Sequence, residues 1–262
     1  MIIRAAGQPL AFLWLTLCLT LAAFSSRAWA DSIGISVTPH ASYSSSIGVL
    51  GCKINTNRVA YWPMAVDCTN ICVKLSYDSR SVHLLRIDQS GGAYDVSYDA
   101  WNYLQTGKSA TKDPIAGGGV AMTYENASAS ACSDLIKTDG LALSASNSMD
   151  FLFSCLADDS SWVAQNYVLY NIADSLCSVG YNEKCTLDVA SGANQATCAH
   201  TLGAQAELTS QPVYNIEYPT GQKVLATTGE AVSGATRAMI PAFLDGHKFV
   251  ALTACIGLLI VF

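Results

Sequence analysis

From Gly51 to Cys132 the apolar positions come in short runs, most of them alternating with polar ones. "NRVAYWP" reads as a strand stopped by Pro63, because proline offers no N–H to a ladder. "ICVKLSY" alternates with period two, and "SVHLLRID" follows it across the turn "YDSRS". "GVAMTYEN" is a further strand, led in by three consecutive glycines at Gly117, Gly118 and Gly119. One stretch breaks the period. In "SYDAWNYL", Ser97 suits a helix N-cap, Asp99 the positive end of the helix dipole, and Trp101 with Leu104 an i, i+3 apolar pair. A mainly β domain over 51–133 with one short helix is therefore expected.

Elsewhere the pattern changes. Residues 31–50 are Ser-rich and read as a loose lead-in. Over 134–203, "SASNSMDFLFSCL" is helix-like, "SWVAQNYVLYNI" fits strand or helix equally, and Cys155, Cys177, Cys185 and Cys198 mark a loop-rich annex. Thr, Ser, Gly and Gln dominate 204–233, which reads as a polar stalk.

The two ends carry addresses rather than fold. Arg4, the apolar run "LAFLWLTLCLTLAAF" and Ala28-Trp29-Ala30 read as a secretory signal over 1–30, cut before Asp31. The apolar run from Phe249 to Phe262 is shorter than the about twenty residues a span needs. With small residues at Ser233, Gly234 and Ala235 and a spacer between, 234–262 reads as a GPI-attachment signal, Ser233 or Gly234 taking the lipid. That lipid would be the protein's one link to a membrane, and it implies a eukaryote. Removing both ends takes Cys18 and Cys255 from the ten cysteines and leaves eight: Cys52, Cys68, Cys72, Cys132, Cys155, Cys177, Cys185 and Cys198. An even set in a secreted chain points to four disulfides, whose pairing stays open. Zinc spacing is absent, so neither metal nor cofactor is expected. Asn126-Ala127-Ser128 is a glycosylation sequon. The net charge of −6 argues against nucleic acid and anionic lipid as partners and suits neutral ligands such as glycans.

Candidate chemistry concentrates in "LLRIDQSGGAYDVSYDAWNYL", where Asp88 and Asp95 flank a Gly91-Gly92 turn. "TGKS" at Thr106–Ser109 lacks the upstream glycine of a phosphate loop, no G-x-S-x-G elbow exists, and the four histidines are scattered. Asp88 suits either a groove residue or a turn anchor accepting backbone N–H groups. Asp95 suits either an acid or a helix-start anchor.

The order of these pieces resembles a family. An aromatic strand, a Cys-flanked strand, Ile87-Asp88, a Gly turn, the run Tyr94-Asp95-Val96-Ser97-Tyr98-Asp99-Ala100-Trp101, and then Gly119–Tyr124 with Cys132 together look like the double-psi β-barrel of expansins, barwin, the rare-lipoprotein-A group and family-45 endoglucanases. The resemblance covers roughly Gly51 to Cys132 and implies a six-stranded barrel with short helices and a Cys-rich annex. It implies that Asp95 holds the place of the acid that protonates a glycosidic oxygen, and that Asp88 is a second groove carboxylate. Tyr61, Trp62 and Tyr94 would line the groove and stack on sugar.

The sequence departs from the family at one telling place. The endoglucanases set their general base directly after the first-strand aromatic pair, and here that position is Pro63. Inverting hydrolysis needs a second carboxylate, and Asp67 is the nearest substitute. The leading expectation is a secreted, GPI-anchored fungal surface protein that binds or remodels wall polysaccharide (glucan, cellulose or chitin-type) without hydrolysing it. A glycan-cleaving enzyme, like a family-45 endoglucanase or a lytic transglycosylase, with Asp95 as acid and Asp67 or a substrate group replacing the base, is the second reading. A structural or effector-like surface protein is the third.

Overall fold

Six strands close into a barrel in the order β1-β5-β2-β4-β3-β6 in the computed structural model, which describes residues 32–232. They are β1 (Ile33–His40), β2 (Val59–Trp62), β3 (Cys72–Tyr77), β4 (Arg80–Gln89), β5 (Tyr94–Ser97) and β6 (Val120–Asn126). Two neighbouring pairs are parallel, β1 with β5 and β2 with β4, and the rest are antiparallel. Parallel pairs cannot be joined by tight hairpins, so the chain must cross over between them. The expected closed, six-stranded, mainly β architecture is present.

The alternation read from the sequence now has a physical meaning. Every strand sends side chains to one inner cluster: Val37, Ala60, Trp62, Val73, Leu75, Leu84, Val96, Met122 and Tyr124 are all buried there. The helix α1 (Tyr98–Thr106) adds Tyr98, Trp101 and Leu104 to the same cluster. It ends at Gly107, whose φ of 75° is the left-handed conformation that closes a helix. Ser97 precedes α1 without donating or accepting a side-chain cap bond. Its hydroxyl instead bridges strands, donating to Thr56 O and accepting from Val59 N. Asp99 takes the expected place in the first helical turn, and Arg58 pairs with it at 2.8 Å.

The outer faces of β2 and β4 feed a second core. Val59, Tyr61, Leu85 and Ile87 pack with Leu141, Leu143, Leu152, Val163 and Ile172 of the annex. There β7 (Leu141–Ser144) pairs in parallel with β8 (Tyr167–Ile172), and β9 (Gly180–Cys185) runs antiparallel to β8. The short helices α2 (Met149–Leu156) and α3 (Trp162–Gln165) lie between β7 and β8 in the chain. The ambiguous run "SWVAQNYVLYNI" is thus divided, α3 taking its start and β8 its end.

All eight cysteines of the described residues are bonded: Cys52–Cys177, Cys68–Cys155, Cys72–Cys132 and Cys185–Cys198. Only the last lies wholly within the annex. The first two tie the annex to segments flanking β2, so the annex is stitched to the barrel rather than stapled to itself.

Two expectations are corrected. The lead-in 31–50 contains β1, a full barrel strand held by β5 and β6. The stretch read as a stalk folds back as well. It forms the hairpin of β10 (Tyr214–Ile216) and β11 (Lys223–Leu225), buries Val213 and Ile216, and accepts a hydrogen bond from Tyr98 Oη at Pro219 O. No helix among the described residues is long and apolar enough to cross a membrane. The signal over 1–30 and the lipid site at Ser233 or Gly234 lie outside the described residues.

Candidate functional site

Register, rather than proximity in sequence, assembles the carboxylates. Thr38 of β1 sits opposite Asp95 of β5, Asp95 opposite Tyr61 of β2, and Tyr61 opposite Asp88 of β4. Four adjacent strands therefore carry a row Thr38–Asp95–Tyr61–Asp88. A bulge between Ala60 and Tyr61 brings Asp88 into this register. Two strand spacings separate the aspartates, or about 9–10 Å between their backbones. The ring of His40 tilts against Tyr61 at 4.4 Å between centroids.

The two carboxylates differ sharply in how they are used. Asp88 is 8% exposed. It accepts the Ser44 hydroxyl at 2.5 Å and the Ser46 and Gln89 N–H groups at 2.8 Å each. That is a turn anchor, holding the 44–46 loop onto the end of β4. Asp95 is only partly buried and has one side-chain donor, the Thr38 hydroxyl. It keeps an oxygen available for a ligand, as Asp88 does not.

The expected aromatic platform is mostly inside the protein. Trp62 is fully buried in the barrel core, with Tyr124 at 4.5 Å and Tyr94 edge-on at 5.4 Å between ring centroids. It cannot stack on a sugar without unpacking the barrel. Tyr61 is 3% exposed, and the cleft beside it is about 10 Å³, room for about one water. Burial foremost, and the charges of Asp88 and Asp95 with it, push its phenol above the usual range, while Ser97 pulls the other way. Tyr61 therefore stays a neutral hydroxyl between two carboxylates. Both residues are corrected from groove lining to core. Alternation could not reveal this, because β2 is covered on both faces: Tyr61 faces the annex core and Trp62 the barrel core. Tyr94 alone of the three keeps an exposed part.

Asp67 does not replace the missing base. Its Oδ1 accepts the Thr69 and Asn70 N–H groups at 2.6 Å each, and its Oδ2 faces the Asn70 amide at 3.4 Å. Partial burial alone would raise its carboxyl, but those donors, Asn70 N–H first, outweigh it and hold the group below the usual carboxylate range. It is a turn residue, formally in the same role as Asp88. Asn126 closes β6 with its side chain exposed, as its sequon requires.

Three further features had no sequence signal, because each is assembled from distant segments. A cavity of about 410 Å³ lies among Leu176, Leu208, Val213 and Leu225, well apart from the carboxylate row in its lining. His200 is gripped by Glu183, through its Nδ1 at 2.7 Å and its backbone N–H at 2.8 Å, and stacks on Tyr181 at 3.8 Å. Arg86 is buried beside Trp62 inside the barrel. No protein-family model, no curated protein and no solved structure matches this chain.

Proposed function

We propose that the protein is a surface-displayed, expansin-like double-psi barrel that binds or remodels wall polysaccharide without cleaving it, with Asp95 as the residue that meets the sugar. In this reading Asp95 accepts or shares a proton with a sugar hydroxyl or glycosidic oxygen and Thr38 fixes its rotamer, while the ring of Tyr94, one residue earlier, turns to the barrel side of β5. The closed barrel with two parallel pairs is compatible with the double-psi arrangement that the sequence resemblance implies. Four disulfides fit an oxidising, extracellular compartment, and a GPI lipid is the proposed membrane link.

The observation that carries the non-hydrolytic half is the fate of the positions from which the sequence offered a second carboxylate. The position after Trp62 is Pro63, Asp67 is spent on its own turn, and Asp88 is buried with three donors on it. Inverting hydrolysis needs a base free to hold a water, and retaining hydrolysis a free nucleophile. A second reading, a structural surface protein with no glycan activity, is favoured by one observation: Tyr61 and Trp62, the expected platform, are both in the core. A polysaccharide pull-down with wild type and Asp95→Asn, with reducing ends assayed alongside, separates the three. Binding that depends on Asp95 without reducing ends supports the proposal. Reducing ends released above background would make it an enzyme, and no binding to any wall polysaccharide would leave the structural reading.

A further inference from the structure

The cavity of about 410 Å³ between the annex and the C-terminal hairpin is far larger than a packing gap, because close-packed interiors leave few voids bigger than a water molecule. Its walls are fixed by backbone. Glu207 bridges to Val179, flanked by Leu208 N–H on Ser178 O at 2.8 Å and Gly180 N–H on Ala206 O at 2.7 Å. On the other side Ala226 N–H reaches Val213 O at 2.9 Å, and the Cys52–Cys177 disulfide anchors the lining at Cys177. The space cannot close while those pairings hold. Leu176, Leu208 and Leu225, which line it, therefore stay only half-buried. Ligand pockets run from about 300 to 1,000 Å³ and combine an apolar lining with a few placed polar groups. This cavity has both.

The polar groups narrow the class of occupant. No lysine, arginine or histidine lines the cavity, and Glu207 is its one charged residue. Glu207 is exposed at the rim and enters no ion pair among the described residues. Beside it across the bridge, Ser178 already donates its hydroxyl proton to Asp174 at 2.5 Å, so that oxygen can only accept. A carboxylate and a hydroxyl with its proton committed make an acceptor site next to an apolar one. An ammonium, with three donors and no acceptor, matches it. A carboxylate or phosphate head would instead meet the like charge of Glu207.

We infer that this cavity binds a compact hydrophobic amine, its apolar body against Leu176, Leu208, Val213 and Leu225 and its ammonium at Glu207 and Ser178. A dry cavity of about 150 Å³ holds benzene, so the space suits a body of roughly two fused rings. The apolar contact supplies most of the affinity, and the rim carboxylate selects the head. The cavity shares no lining residue with the Thr38–Asp95–Tyr61–Asp88 row, so its occupancy is independent of polysaccharide binding.

The test titrates the disulfide-intact protein with three probes that share one body and differ in the head: naphthylmethylamine, naphthalenemethanol and naphthoic acid. Binding is read by calorimetry at neutral pH and low salt, for wild type, Glu207→Gln and Leu225→Trp, with unfolding midpoints as a fold control. The amine should bind about fivefold more tightly than the alcohol, the worth of an ion pair at an exposed rim, and the acid should bind most weakly. That preference should shrink as salt is raised. Glu207→Gln, at an exposed position, should bring the amine to the level of the alcohol and leave the alcohol unchanged. Leu225→Trp, which fills the cavity, should weaken all three probes. Binding of no probe by the wild type overturns the inference, as does equal binding of amine and alcohol. So does an amine preference that survives Glu207→Gln, or undiminished binding by a folded Leu225→Trp protein. Should Leu225→Trp fail to fold, the head series and Glu207→Gln still decide.

Discussion

Replacing Asp88 with alanine should unfold the protein more readily without being a binding mutation in disguise. The substitution strands three donors at the end of β4: the Ser44 hydroxyl, Ser46 N–H and Gln89 N–H. Each hydrogen bond to a charged acceptor is worth about 1.5–3 kcal/mol net. The 44–46 loop can swing toward water and recover part of that, so about 3–5 kcal/mol is the reasonable loss. For a chain of this size the midpoint of thermal unfolding should fall by about 10 °C. Asp88→Asn, which retains one acceptor oxygen, should lose less than half as much. The assay is urea and thermal unfolding of the disulfide-intact protein, followed by near-ultraviolet circular dichroism. An Asp88→Ala variant within about 1 kcal/mol of wild type that nevertheless loses polysaccharide binding would refute the assignment, and would return Asp88 to the groove.

Other expectations follow from the same contacts. Trp62→Ala should cost about 3–5 kcal/mol, the range for emptying a buried aromatic site, and should be read by unfolding rather than by ligand titration. The Glu183 carboxyl is held down to about 2 by the His200 N–H, the Asn171 amide and the His200 ring. A depressed carboxyl contributes stability that is complete above its unfolded value of about 4.3 and is lost as pH falls toward 2. Glu183→Gln should therefore flatten the acid limb of the stability curve between about pH 4.5 and 2. Cys72 and Cys132 are 60 residues apart, so replacing both with serine should cost about 4 kcal/mol by loop entropy.

How legible was this molecule in its sequence? Strands β2, β3, β4 and β6 were, because each is a short apolar or alternating run that ends at a turn or a proline. Strand β1 was not: "IGISVTPH" has only Val37 fully buried, so its place in the barrel rests on backbone pairing that composition does not record. The same holds for β10 and β11, whose polar residues conceal a hairpin fixed by a few buried side chains, Val213, Ile216 and Val224. For the site, the sequence located both aspartates but not their burial. Asp88 and Asp95 look alike around the Gly91-Gly92 turn, and only the 44–46 loop, far away in sequence, distinguishes them. Tyr61 and Trp62 were misplaced for a related reason. Two adjacent aromatics in a strand face opposite sides, and the annex covers the side that would otherwise have been open. Arg86 carried no signal, since a charge in a strand normally faces water and nothing local shows that this one points inward.

The division of labour between the two aspartates is the centre of the account, and the affinity of Asp95→Asn for wall polysaccharide at a matched unfolding midpoint tests it most directly. Asp95→Asn should unfold within a few degrees of wild type and lose about tenfold or more in binding, the effect of removing a charged hydrogen-bond partner. Undiminished binding by a folded Asp95→Asn protein would contradict it.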